Sequence, residues 1–186
     1  ATLPELARGH AGLDEARVEH LQDLASVWGL LADLSFADLL LYAREPAGAD
    51  RALVLLGHMR PTTGTTLYRA DLVGQVFEPR RRPLIVEAFE ADEAVEGTVD
   101  VGSDRSVHVT AVPVRRHGET IAVLARERLR PEDRPGSEQE RTYLTVFDRF
   151  ARMLERGEFP YHDEERLRHR TPRVGDGLLL VDADGR

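Results

Sequence analysis

The residues best suited to chemistry fall in one stretch, residues 59–78, MRPTTGTTLYRADLVGQVFE. There Arg60 stands beside Thr62, Thr63, Thr65 and Thr66, with Asp71 following. Arginine supplies a planar donor fork, and threonine hydroxyls and turn amides add neutral donors, so this run can cradle a phosphate or carboxylate. The same hydroxyls can instead cap the turn backbone, with Arg60 paired to Asp71 or another acid. His58 and His108, on expected strands, and Thr110 beside the second of them could complete the contact with a ligand. Neither histidine has a partner at metal-ligand spacing, so no metal is expected and haem is disfavoured. Asp33, Asp38 and Asp71 are separated acids rather than a paired general acid and base. No Walker loop, Gly-x-Ser-x-Gly elbow or metal-hydrolase helix occurs, so no catalytic residue is assigned. The cofactor stays open, with a nucleotide-type or other small ligand compatible.

Composition narrows the setting. A chain of 186 residues is long enough for one full domain with something left over. A fold of this size buries about 70% of the surface its unfolded chain exposes. Cysteine is absent, which excludes disulfides, thiolate metal sites, cysteine nucleophiles and thioether-linked chromophores, and fits a reducing cytoplasm. No apolar run reaches the length of a membrane span. The formal net charge of −8 argues against non-specific binding to DNA or an anionic membrane surface. One local exception, Arg80-Arg81-Arg82, opens an expected helix, where cations oppose the helix dipole unless Glu78 or Glu87 relieves them.

The elements that must position these residues are read from periodicity. In residues 13–34, Leu21, Leu24, Trp28 and Leu31 form one helical stripe, and Val27, Leu30 and Leu34 a second. A helix apolar over so wide an arc must be covered on two sides, by its own sheet and by a partner. Residues 36–44 and 52–59 are short apolar runs separated by Glu45-Pro46-Ala47-Gly48, predicting two antiparallel strands. Pro61 then pushes Arg60 to an extended conformation, and Gly64 suits a positive-φ turn position. Residues 65–69 are expected as a brief strand, 71–74 as a turn, and 82–91 as a helix with Pro83 in its first turn. Residues 92–102 read as an acidic loop with a weak strand around Val99. Residues 105–115 and 119–129 form a hairpin turning at Arg116-His117-Gly118. Alternation puts Val107, Val109 and Ala111 on one face and Ser106, His108, Thr110, Val112 and Val114 on the other. Pro113 predicts an edge or a bulge at that point. After a charged turn at 130–136, Ser137 and Glu140 resemble a capping box opening a helix to about residue 156. Its stripes are Leu144, Phe147, Ala151 and Leu154, and Val146, Phe150 and Met153; Gly157 stops it. Residues 158–173, with His162 and His169, read as a charged linker. Residues 174–186 read as a strand entering a tight turn, as if the chain stops inside the opening of a second domain.

This order of elements resembles a GAF domain. Ala111-Val112-Pro113-Val114 and Gly118-Glu119-Thr120-Ile121-Ala122-Val123-Leu124 look like the closing hairpin of that family, with Ala122 where a glycine is usual. The tail from Asp176 to Arg186 looks like the first strand and turn of a PAS domain. Residues 30–39 (LLADLSFADL), then Arg60-Pro61, Thr63-Gly64, Thr66, Asp71 and Val73-Gly74, resemble the N-terminal module of cytosolic actinobacterial sensor histidine kinases. The resemblance implies an α+β, profilin-like fold with a central antiparallel sheet. It places the two terminal helices on one face and a loop and helix enclosing a pocket on the other. It further implies downstream PAS and kinase domains, and a response regulator with an RNA-binding antitermination domain as partner.

Together these readings predict an N-terminal extension at 1–10, a GAF-like sensor domain at 11–157, a linker at 158–173 and the first strand of a truncated PAS domain at 174–186. The expected role is a cytoplasmic signal input controlling kinase autophosphorylation. Arg60, Thr62, Thr65, Thr66, Asp71, His58, His108 and Thr110 are the expected ligand contacts. Leu21, Leu24, Trp28, Phe147, Phe150 and Leu154 are the expected homodimer contacts. The alternative is a ligand-free dimerisation or interaction module. A roomy pocket with convergent polar groups would favour sensing, and a closed apolar sheet face would favour the module.

Overall fold

The computed structural model describes residues 1–46, 51–100, 106–129, 137–161, 173–176, 181 and 184–185. The expected turn at 130–136, the linker histidines His162 and His169, and the segment expected as a PAS strand at 177–180 lie outside the described residues.

A six-stranded antiparallel sheet organises the chain, in the order β3-β2-β1-β6-β5-β4. Its strands are β1 (Asp38–Arg44), β2 (Leu53–Met59), β3 (Val76–Phe77), β4 (Val95–Asp100), β5 (Ser106–Arg116) and β6 (Glu119–Leu129). The helices are α1 (Leu3–Gly9), α2 (Glu15–Ser35), α3 (Pro83–Ala91) and α4 (Glu138–Arg156). This is the α+β architecture that the resemblance implies.

Helices α2 and α4 pack together over one face of the sheet. Asp14 caps α2 by accepting from the Arg17 amide, and Ser137 caps α4 by accepting from the Glu140 amide. Leu21, Leu24, Trp28 and Leu31 of α2 and Phe147 and Leu154 of α4 close over Leu39, Leu41, Val112 and Leu124 of the sheet. Each such buried side chain contributes about 1.5–3 kcal/mol of transfer free energy. Trp28 needs Gly57 beneath it: a Cβ at that position would stand 2.4 Å from the indole. Arg126, buried on this face, donates to the Ser35 carbonyl at 3.1 Å and lies over the Phe147 ring, a cation closing the C-terminus of α2.

The opposite face is covered by α3 and the loop 60–78. Leu40, Tyr42, Leu53, Leu55, Val107 and Val109 face Ile85 and Ala88 there. β4 departs from the expected loop: Val95, Gly97 and Val99 alternate with the exposed Glu96, Thr98 and Asp100, and Leu84 of α3 comes within 3.0 Å of where a Gly97 side chain would begin. β4 pairs with β5 only as far as Ala111, so Pro113 sits where β5 has no partner on that side.

Four further differences are local. Residues 3–9, read as part of an extension, form α1, with Leu6 and Ala7 buried against the α2 face. The brief strand expected at 65–69 is absent, because the polar groups of this segment bond to side chains rather than to a ladder. Gly64 lacks a positive φ; it is required because a Cβ there would come 2.9 Å from the Phe36 carbonyl oxygen. Beyond α4, Val174–Asp176 forms a 3-10 turn where a strand was expected to begin.

Candidate functional site

Two buried acids flank the short connection between α2 and β1, and each holds half of the threonine loop. Asp33 Oδ1 accepts the Thr62 amide at 2.6 Å and the Thr62 hydroxyl at 2.9 Å, and the Asp33 carbonyl accepts the Thr63 hydroxyl. Asp38 Oδ1 accepts the Thr66 hydroxyl at 2.7 Å, and its Oδ2 accepts the Leu67 amide at 2.6 Å. His58 Nε2 bonds Asp38 Oδ1 at 2.8 Å, with the two side chains 1% and 0% exposed. Burial pushes the Asp38 carboxyl up, but the bonds from His58, Leu67 and Thr66 outweigh it and hold the group below the usual carboxylate range.

Arg60 closes the same loop from outside, donating to the Tyr68 carbonyl at 3.2 Å and the Ala70 carbonyl at 3.0 Å. Asp71 accepts the Val73 amide two residues on, an Asx turn rather than a partner for Arg60. The threonine loop is therefore closed by the chain itself, but through the Asp33 and Asp38 carboxylates and with Arg60 on backbone carbonyls, not through the Arg60–acid pair its composition suggested. Thr65 is exposed on it.

Beside Asp38, and directly opposite it in the ladder, stands Glu127 of β6. Its side chain is 1% exposed, and the Tyr68 hydroxyl donates to its Oε2. Arg82, at the start of α3, donates to Glu127 Oε1 at 3.2 Å. The Arg82 guanidinium lies 4.8 Å from the Phe77 ring centroid and 5.6 Å from that of Tyr42. The Tyr42 hydroxyl is buried and has no hydrogen-bond partner among the described residues. Burial, and next the charge of Glu127, push the phenols of both Tyr42 and Tyr68 up, so both remain neutral donors. A cavity of about 30 Å³ opens here, lined by Tyr68, Arg81, Arg82 and Glu127 and by the apolar side chains of Val99, Val107 and Val109.

The expected contacts divide between the two faces. His58, Thr66 and Asp38 share the α3 face, as the pairing of Leu40 with His58 requires. His108 and Thr110 alternate with Val107, Val109 and Ala111, so they point to the α2 and α4 side. His108 pairs with Glu96 across the β4 edge, away from His58. Leu21, Leu24, Trp28, Phe147 and Leu154 are buried within the chain, and Phe150 packs on Phe159 with ring centroids 4.9 Å apart. Five of these side chains are taken up by the chain's own core, because α2 and α4 cover each other, and Phe150 is half-buried against it. A dimer through these helices would use outward residues such as Ser26, Arg149 and Arg152, which are exposed.

The family described as histidine kinase PdtaS, GAF domain, matches residues 3–146. The chain belongs to this GAF family. It is 34% identical over 194 residues to the sensor histidine kinase PdtaS of Mycolicibacterium smegmatis and 33% identical over 192 residues to that of Mycobacterium tuberculosis. All of this chain is matched in both cases, and it spans 37% of the length of these curated relatives. A solved structure described as the sensor region of a sensor histidine kinase superimposes with a TM-score of 0.79 at 33% identity, covering 100% of this chain and 63% of that one.

Within this GAF domain, Glu127, Tyr68 and Tyr42 are site residues that the expectations from sequence do not include. Glu127 had a signal, since alternation along β6 places it on the same face as Val123 and Ala125. Tyr68 and Arg82 reach it from a loop and a lid, and no local pattern reports such a contact. No described helix is long and apolar enough to cross a membrane.

Proposed function

We propose that this GAF domain is a cytoplasmic input module in which a small molecule, bound beneath α3, alters the packing of α2 and α4 and thereby the autophosphorylation of a downstream histidine kinase. One observation carries the reading. The α3 face of the sheet buries the side chains of His58, Asp38 and Glu127 and sets the half-buried Tyr68 and Arg82 against them, where a purely structural core would be hydrocarbon. Buried charges cost free energy unless paired, and their concentration beside a cavity marks a site built for contacts that change.

A route to the output is built into Asp33. The carboxylate that anchors Thr62 also accepts Arg173 Nη1 at 3.1 Å and the Val174 amide at 3.3 Å. A displacement of the loop would therefore be felt in the segment that follows α4. A ligand drives this only through its difference in affinity for the two arrangements. The full protein would then carry PAS and kinase domains after this module, act as a homodimer through the outer faces of α2 and α4, and signal to a response regulator with an RNA-binding antitermination domain. Residues 158–173 would serve as the linker and 174–186 would enter the PAS domain.

The size of the cavity supports a second reading, a ligand-free dimerisation or interaction module. About 30 Å³ holds roughly one water, so a larger ligand requires α3 or the loop to move. A thermal-shift screen of nucleotides, cyclic dinucleotides, haem, metal ions and organic cations separates the two. On the sensing reading, at least one class raises the melting temperature of the wild type and not of Glu127→Gln. Silence from every class favours the module.

A further inference from the structure

We infer that the space beneath α3 is an organic-cation site, and that Arg82 occupies it as a tethered stand-in for a guanidinium or ammonium ligand. The inference rests on the sensing reading above and names the chemical class of its ligand.

The frame of the site belongs to the sheet. Glu127 comes from β6, Tyr42 from β1 and Phe77 from β3, and together they present one buried carboxylate and two aromatic rings around a single point. A carboxylate with aromatic faces on its flanks is the chemistry that recognises a cation carrying some apolar surface. The group now at that point, the Arg82 guanidinium, comes from the covering element instead. Arg82 stands at the N-cap of α3, with φ −137° and ψ 57°, directly after the 3-10 turn Pro79–Arg81. A cation is unfavourable at the start of a helix, so local helix energetics do not hold Arg82 there. Its attraction to Glu127 and the rings does.

The sign of the ligand follows from the neighbours. Asp38 faces Glu127 across the ladder and is already committed to His58, Thr66 and Leu67, so a second carboxylate flanks the site. An anion entering here would meet both acids at short range in a poorly solvated setting. A cation that replaced Arg82 would keep Glu127 paired. The Tyr42 hydroxyl, buried without a partner among the described residues, offers it one more hydrogen bond. Val107 and Val109, beside the cavity, would receive a short apolar tail.

The test is titration calorimetry on the whole chain with methylguanidinium, using methylurea as a neutral molecule of the same shape and sodium chloride as a control for ionic strength. Arg82→Ala should bind methylguanidinium at least about tenfold more tightly than wild type, in which the tethered side chain competes. It should bind methylurea far more weakly, and Arg82→Ala combined with Glu127→Gln should lose the response. Arg82→Met, which refills the apolar volume of the stem, takes its place should the alanine variant not fold. The inference falls if the Arg82 variants bind neither compound, bind both alike, or bind no better than wild type. Methylguanidinium binding to Arg82→Ala that left amide exchange in α2 and α4 unchanged would uphold the cation site and overturn the sensing reading. A compound that binds only when Glu127 is present, with no response to methylguanidinium, would uphold sensing and overturn the cation class.

Discussion

The two faces of the sheet are built from strands of the same hydrophobic character, yet they solve different problems. Beneath α2 and α4 the interface is mostly hydrocarbon, although α2 also buries His20 and Asp33. The deeply buried Arg126 guanidinium on this face closes a helix end, and burial, then the nearby Arg128, pull that group down to about 10. Beneath α3 the strands place Asp38, His58 and Glu127 in a row and meet them with a loop and a short helix. Packing makes the first face rigid. On the second, specific polar pairs hold the cover down, and pairs can be exchanged for other pairs. The proposed input function would use both, one surface that transmits and one that yields.

This contrast can be broken most forcefully on the helix side. Leu24→Ala should cost about 2–5 kcal/mol in urea unfolding, while leaving the protease sensitivity of residues 60–78 near that of wild type. Comparable loop exposure in that variant would mean that the two faces are not separable. Gly57→Ala comes next. The added methyl meets the Trp28 ring, and an expected loss of about 1–3 kcal/mol should be accompanied by a change in Trp28 fluorescence.

On the α3 side the effects are smaller and depend on pH. Asp38→Asn should cost about 1–2 kcal/mol at neutral pH, by weakening the bonds to His58, Thr66 and Leu67. The folded Asp38 carboxyl titrates below its unfolded value, so its stabilisation is fully present above the ordinary aspartate range. It is lost as pH falls through the lower, folded value. Unfolding curves of wild type and Asp38→Asn should therefore converge in acid; a gap that is independent of pH would remove the carboxylate from the account. Arg60→Ala should cost the least, about 0.5–1.5 kcal/mol, and raise amide exchange chiefly in residues 68–71, where it ties the Tyr68 and Ala70 carbonyls.

Most of the helix face was legible in the sequence and much of the α3 face was not. Leu21, Leu24 and Trp28 announce themselves by spacing, and Ser137 with Glu140 by a cap, because both signals are local. α1 had a local signal as well: Thr2 and Glu5 form a capping box around Pro4, and the resulting helix is held by Leu6. β4 was obscured by its acids, which simply face solvent while Val95 and Val99 face α3. At the site, Arg60 and the threonines drew attention through their type, yet they are structural partners of Asp33, Asp38 and their own loop. Glu127 and Arg82 lie far apart in the chain and meet only through the fold.

Native-state hydrogen exchange on the unliganded chain tests the difference between the faces most directly. Amides of α3, Pro83–Ala91, and of residues 62–68 should open at free energies at least about 2 kcal/mol below those of α2 and β6, since polar pairs rather than deep packing hold them. Equal protection in α3 and α2 would show a uniformly locked fold, and the picture of a yielding lid over a fixed frame would be contradicted.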